Sequence, residues 1–431
     1  MNISPARVAA FRILKKIELE GGLSAVLLPE AEGFLDGADK GLCHALVLGA
    51  LRRQIYLDRL IDSAAGGKKI DRDIRMILRL GIFQLKFLER VPPHAAINES
   101  VELAKFARKH SAAGFVNAIL RKLSRETPHL EFASEIERLS VETSHPAELI
   151  ERWSSQFGAE RAAKISRANN ELPSIAFRRT PKTNDPLIES LIVAGEAERS
   201  KLVAGAFISV ETKARLRELE ADGRIYFQDE ASQLVAEIAS GFVRSRFLDL
   251  CAAPGSKTAA IAMSVPTARI TAGDFSAKRT KTLVELLQRQ GIEDVEVLRY
   301  DAEKPLPFDA IFDTILLDAP CSGTGTIRHN PEIRYRVKVD ELERLQARQL
   351  VMLRNAAECL IPGGHLIYST CSLEREENED VIAEFLGGSD AFEIGRINGR
   401  EPLIRDDGTL RTYPDRDGVD GFFAAVLRRK T

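Results

Sequence analysis

From residue 222 onward, short apolar runs alternate with longer amphipathic stretches, and this alternation constrains the fold more than any other feature. Phe247 to Leu250, Ala268 to Ala272, Val295 to Tyr300, Thr314 to Leu317 and His365 to Tyr368 are too short for buried helices and read as strands. Residues 256–264, 277–290 and 340–360 read as helices. The last is expected to be capped by Asp340, with Leu342, Leu345, Leu353 and Leu360 along one side. Gly363-Gly364 reads as a hairpin or turn feeding the last strand. Such alternation predicts an α/β region with a mostly parallel sheet covered on both faces. Ligands of such sheets bind beyond the carboxyl ends of the strands.

The chain has 431 residues, too many for one ordinary core. Residues 5 to 126 are helical by pattern, with apolar stripes at Val8, Phe11, Ile13 and Leu14, at Leu42, Leu46, Val47 and Leu51, and at Ile74, Ile77, Leu78, Ile82 and Leu85. A second region carries amphipathic helices around Trp153 and Phe157, followed by extended stretches near Ser174 to Thr180. The expected domains are an all-helical 1–130, a small α/β 140–215 and a larger α/β 216–431.

Hydrophobic residues at 44% and charged residues at 29% describe a globular chain rather than a disordered one. Net charge is only -2, yet residues 68–125 hold 13 Lys/Arg against five Asp/Glu, a local +8 that suits a phosphate-facing surface. Solvated helix faces are the competing reading. No signal peptide and no apolar run of 18 residues is present, so export and membrane insertion are not expected. The five cysteines form no CxxC and no framework of pairs, which fits a reduced, cytoplasmic protein.

Chemistry concentrates in three loops. The first strand runs into Cys251-Ala252-Ala253-Pro254-Gly255-Ser256-Lys257-Thr258, where small residues let the backbone pass close to a ligand. A Walker A loop is excluded, since Leu250 and Ser256 occupy its glycine positions. Asp274, about 20 residues on, suits a ribose diol, and Asp301 suits an adenine edge. One Asp after a strand is as easily a helix cap. Asp249, Asp274 and Asp301 after successive strands favour a nucleoside.

The other two loops are Asp318-Ala-Pro-Cys321-Ser-Gly-Thr-Gly325 and Tyr368-Ser-Thr-Cys371-Ser372. Both thiols stand among polar, turn-forming neighbours beyond predicted strands, the placement of a nucleophile that adds to an electron-poor carbon. Cys43, Cys251 and Cys359 read as small core fillers. A disulfide between the two loops is disfavoured by a reducing compartment, and no short Cys/His spacing points to a metal. Spacing alone does not assign which thiol attacks.

With these motifs the chain resembles, over nearly its whole length, the S-adenosylmethionine-dependent RNA cytosine-C5 methyltransferases of the Nol1/Nop2/Sun group, and within it the bacterial branch acting on 16S ribosomal RNA. The resemblance implies a Rossmann-like catalytic domain in which Asp249 to Lys257 form the methionine-end loop, with Ser256 in place of the usual glycine. It implies Asp274 as ribose ligand, Asp301 as adenine-side acid, Asp318 as the carboxylate facing the base, and Lys257 as an active-site cation. Arg279 resembles the family's basic residue after the ribose acid, Gln228 to Ser232 the segment before the loop, and Asp420 to Phe423 the closing strand.

It further implies Cys371 as nucleophile at cytosine C6 and Cys321 as the thiol that assists release. The first region is similar to NusB, an RNA-binding helical fold, in Asp39-Lys40, Leu46 to Gly49, Pro93 to Glu99 and Val116 to Arg121. The middle region is similar to a small RNA-recognition domain. The implied partner is 16S rRNA not fully assembled into the small subunit, bound by a monomer. Transfer RNA or another rRNA cytosine, a catalytically silent ribosome-assembly role, and a nicotinamide dehydrogenase are the alternatives. The last leaves both cysteine loops unexplained.

Overall fold

The computed structural model describes residues 3–210 and 214–431. Two compact units emerge, one from residues up to Glu171 together with Ile327–Arg336, the other from Leu172–Thr326 and Val337–Thr431.

The first unit is helical. Its helices Pro5–Glu20, Gly37–Arg52, Arg72–Phe87, Pro93–Phe106 and Ala113–Arg125 enclose one core containing Phe11, Leu14, Leu46, Leu51, Ile77, Leu78 and Leu120. Asp71 starts Arg72–Phe87 by accepting from the amides of Asp73 and Ile74, and Pro92 precedes the next helix, where a helix interior could not hold it. Helices Glu135–Thr143, Ala147–Phe157 and Ala159–Ala168 also belong here, rather than opening a small α/β domain at 140.

The reason lies far along the chain. Arg334 is fully buried in this unit, donating to the carbonyls of Arg52, Thr143, Ser144 and Asn169 and to Asn170 Oδ1. Glu332 accepts from the amide and hydroxyl of Ser24. One returning segment thus satisfies polar groups of both the early and the later helices. Part of the +8 between 68 and 125 is internal as well: Arg79 is buried and bonded to Asp58 and Glu18, and Arg75 pairs with Asp58 and Asp62. Lys68, Lys69, Arg72, Arg108, Arg121 and Arg125 remain exposed.

The second unit holds two sheets. Strands β1 (Ala176–Arg179), β2 (Ala197–Arg199), β3 (Ala206–Ser209) and β4 (Ile225–Phe227) form an antiparallel sheet in the order β2-β3-β1-β4. The large sheet contains β5 (Arg246–Asp249), β6 (Arg269–Asp274), β7 (Val295–Arg299), β8 (Phe312–Asp318), β9 (Leu360–Thr370), β10 (Phe392–Ile394), β11 (Leu410–Arg411) and β12 (Phe423–Arg429). Its order is β10-β12-β9-β8-β5-β6-β7, with β11 beside β12. Strands β5 to β9 are parallel and β12 runs against β9.

Alternate residues on each strand feed opposite cores. Leu248, Ile315, Leu317, Leu366 and Tyr368 pack with Leu350 and Leu353 of helix Val339–Glu358, while Phe247, Leu316 and Ile367 pack with Leu234, Val235 and Ile238 of helix Glu230–Ser240. The chain order steps outward from β5 through β6 to β7 and then returns to the other side of β5 with β8, so the crevice beyond β5 and β8 is a switch point. Helices Ser256–Ser264 and Ala277–Gln290 occupy the expected residues.

Two local expectations are corrected. Lys338, not Asp340, is the N-cap of Val339–Glu358, and Asp340 sits in the first turn, where a carboxylate still favours the helix dipole. Gly363 and Gly364 lie inside β9: pairing jumps from Phe312↔Leu360 to Thr314↔His365, so they accommodate a bulge rather than a hairpin. Among the described residues no helix is long and apolar enough to cross a membrane.

Candidate active site

Strand β5 delivers Asp249 to the floor of the first loop. Asp249 is buried, and Thr258 Oγ1 donates to its Oδ2 at 2.6 Å while Oδ1 has no hydrogen-bond partner. Burial pushes this carboxyl up to about 7 against the opposing effect of the Thr258 hydroxyl. Ala252 N bonds Gly273 O at 2.8 Å, tying the loop to the end of β6. Gly255 caps helix Ser256–Ser264 at φ +112, and a Cβ there would stand 2.6 Å from Leu283 Cδ1, so only glycine fits. Ser256 is the first residue of that helix, with no positive φ, so a serine in place of glycine restricts nothing.

At the carboxyl edge lies a cleft of about 430 Å³. Cys251, Ala253, Asp274, Arg279, Asp301, Asp318, Cys321 and Cys371 are on its wall. Ala252, Pro254, Gly255, Ser256 and Lys257 are not, and shape the loop from behind. Arg279 donates to Ala253 O at 2.6 Å and pairs with Asp274 at 3.2 Å, locking the loop to the acid after β6. Asp301 accepts from Glu303 N at 3.0 Å, so its local turn role coexists with its place in the cleft. Cys251 is a wall residue rather than plain filler, and burial raises its thiol pKa, keeping it protonated. The volume lies in the range of small-molecule sites, and carboxylates after three strands suit a ligand bearing a diol and amines.

The two cysteine loops converge. Cys321 and Cys371, 50 positions apart in sequence, bring their Sγ atoms to 3.2 Å. Asp318 ends β8 between Lys257 Nζ, 2.7 Å from Oδ2, and Ser369 Oγ, 2.7 Å from Oδ1. Burial works against the Lys257 ammonium, but Asp318 outweighs it and the pKa is raised, so the cation persists. The hydrogen bond to Cys371, then burial, raises the Cys321 pKa. In this resting arrangement Cys321 holds its proton.

Comparison with known proteins gives the same reading from a different direction. The family model described as 16S rRNA methyltransferase RsmB/F matches residues 243–428, and the NusB family model matches residues 4–125. A probable ribosomal RNA small subunit methyltransferase B of Bacillus subtilis is 33% identical over 447 residues, covering 100% of both chains. The chain belongs to the RsmB/F family. A ribosomal RNA small subunit methyltransferase B of Erwinia tasmaniensis is 32% identical, covering 98% of each chain. Among solved structures, one titled PH0851 superposes with a TM-score of 0.84 at 26% identity over 100% of both chains. As in the family, the methyl donor of this chain is S-adenosylmethionine.

In this RsmB/F protein, the sequence reading left several residues near the site without a role of their own. Phe422 lies 5.1 Å beneath Lys257 Nζ, and Phe275 and Met352 line the cleft. Asp229 caps helix Glu230–Ser240 and faces the Asp420 amide at 3.4 Å, which gives the two outlying motifs a common location. Ser322 and Ser372, each next to a cysteine, share the buried carboxylate of Glu377. Nothing local sets Glu377 apart from the other acids of residues 374–380.

Proposed function

We infer that the chain methylates C5 of a cytosine in 16S rRNA, and the observation that carries this is the pair of thiols 3.2 Å apart on the wall of the cleft that holds Asp274, Asp301 and Asp318. Cytosine C5 is too weak a nucleophile unaided, and a thiolate bond to C6 moves electron density onto C5. S-adenosylmethionine, when bound, would supply that carbon with an electrophilic methyl group, its sulfonium leaving as a neutral thioether. Cys371 makes this attack, a reading supported by the resemblance of Tyr368 to Ser372 to the family motif. Asp318, oriented by Lys257 and Ser369, binds the N3/N4 edge of the base where charge develops.

Release needs a base for the C5 proton. Cys321 keeps its own proton chiefly because of the neighbouring Cys371 sulfur. Once Cys371 is a thioether that largest cause is removed while burial still raises the pKa, so Cys321 serves as the base only after giving up its proton to solvent. It then takes the C5 proton, the C5=C6 bond re-forms, and Cys371 leaves as thiolate.

The base must be unpaired or flipped for a sulfur to reach C6 from above the ring. The exposed lysines and arginines of the NusB-like unit contact phosphate, and the small β1–β4 sheet acts as an RNA-recognition module. The substrate is 16S rRNA before full small-subunit assembly, bound in the cytoplasm by a monomer. Tritium transfer from labelled S-adenosylmethionine tests the reading. Label in one cytosine of unmethylated, protein-free 16S RNA is expected. Label in transfer RNA alone, or in none, contradicts it.

A further inference from the structure

Glu377 is fully buried, beyond β9 and outside the cleft wall. Its Oε1 accepts from Ser322 N at 2.8 Å and from Gln349 Nε2 at 3.1 Å. Its Oε2 accepts from the hydroxyls of both Ser322 and Ser372, whose oxygens are 3.1 Å apart. One carboxylate therefore grips the residue after each cysteine. Burying an ionised carboxylate is costly, and four convergent donors offset part of that cost, with burial still raising the Glu377 pKa.

The two loops depend on this grip unequally. Cys371 has anchors of its own beside it: Ser372 N bonds Thr370 Oγ1 at 3.2 Å, and Asn378 Nδ2 donates to Ser372 O at 2.9 Å. The Cys321 loop is tied at its ends, Ala319 N to Ser369 O at 2.8 Å and Gly325 N to Cys371 O at 2.9 Å, but on either side of Cys321 itself Ser322 N is held by Glu377 and Pro320 O by Gln349 at 2.9 Å, itself bonded to Glu377. Removing the carboxylate loosens the Cys321 loop first.

We propose that Glu377 is a positioning residue that fixes Cys321 against Cys371, so that its loss slows release of the RNA adduct more than its formation. The inference rests on the cysteine roles given above. A displacement of about 1 Å between reacting groups is enough for a loss of about 100-fold.

The test uses full-length protein, unmethylated 16S RNA and S-adenosylmethionine, read by steady-state methyl transfer and by RNA adduct that survives denaturing gels. Glu377→Ala is expected to lower kcat by about 100-fold, with KM for RNA little changed, and to accumulate adduct as Cys321→Ala does. Glu377→Gln, which keeps an acceptor for Ser322 N and an amide that can bond the hydroxyls, is expected to recover turnover and shed the adduct.

Wild-type turnover in Glu377→Ala overturns the proposal, as does lost turnover without adduct while Cys321→Ala traps one. Should Glu377→Ala fail to fold, Gln349→Leu, which frees Pro320 O and removes one donor to Glu377, is expected to accumulate adduct in the same way, and turnover at the wild-type rate without adduct overturns the proposal. If Cys321→Ala itself traps nothing, the cysteine assignment fails, separately from the role of Glu377.

Discussion

Replacing Lys257 with methionine removes the cation that orients Asp318 while keeping much of the side-chain volume. The ammonium lies 2.7 Å from Asp318 Oδ2, with only 10% of the lysine side chain exposed. At an effective dielectric of about 20, two unit charges at that distance attract by about 6 kcal/mol. Desolvation cancels the larger part, leaving the worth of a charged hydrogen bond, about 1.5–3 kcal/mol. Expressed only when Asp318 engages the base, this is a loss of about 10- to 150-fold in the methyl-transfer rate. Because Lys257 stands behind the cleft wall, affinity for S-adenosylmethionine should hold within about twofold. Single-turnover transfer to RNA and calorimetric cofactor binding measure the two quantities. Coupling is checked with Asp318→Asn, since residues acting as one unit are not additive. A Lys257→Met protein that transfers methyl at the wild-type rate, or whose defect lies wholly in cofactor affinity, refutes the reasoning.

Asp313→Asn removes a carboxylate that accepts from the amides of Arg244, Ser245 and Arg246 at the start of β5, and is expected to destabilise the protein by about 1.5–3 kcal/mol at neutral pH. Burial acts against the Asp313 charge, but the three amides hold its pKa below the ordinary 3.8. Its contribution is present above that value and lost as pH falls through the folded pKa, so the gap between urea midpoints of wild type and variant should narrow below about pH 4. Arg279→Leu unties Ala253 O from Asp274 and should weaken cofactor binding about tenfold by calorimetry while RNA affinity is unchanged. Changing the exposed Lys68, Lys69, Arg121 and Arg125 to Gln should flatten the slope of log RNA affinity against log salt by about 3, if each meets one phosphate of single-stranded RNA. An unchanged slope places the RNA elsewhere.

Features whose physics is local were legible in the sequence. Helices Ser256–Ser264 and Ala277–Gln290 announce themselves by periodicity, and Asp274, Asp318, Cys321 and Cys371 by ending or following strands that read as strands. Features whose partners are remote were not. Arg334 looks like one more surface arginine in a polar stretch, because the carbonyls that bury it come from residues 52, 143, 144 and 169. Glu377 looks like part of a charged helix face because Ser322 and Gln349 reach it only in three dimensions. Gly363 and Gly364 carry turn chemistry that a bulge uses equally well. The pairing of Lys257 with Asp318, 61 positions apart, likewise depends on helix and strand having already packed.

The most direct measurement is peptide mass mapping of RNA covalently trapped on Cys321→Ala protein. Sulfur-linked cytidine on the peptide carrying Cys371, and no adduct at all from Cys371→Ala, is the predicted result. A nucleotide attached to Cys321 in the Cys371→Ala protein would reverse the roles of the two thiols and contradict the account.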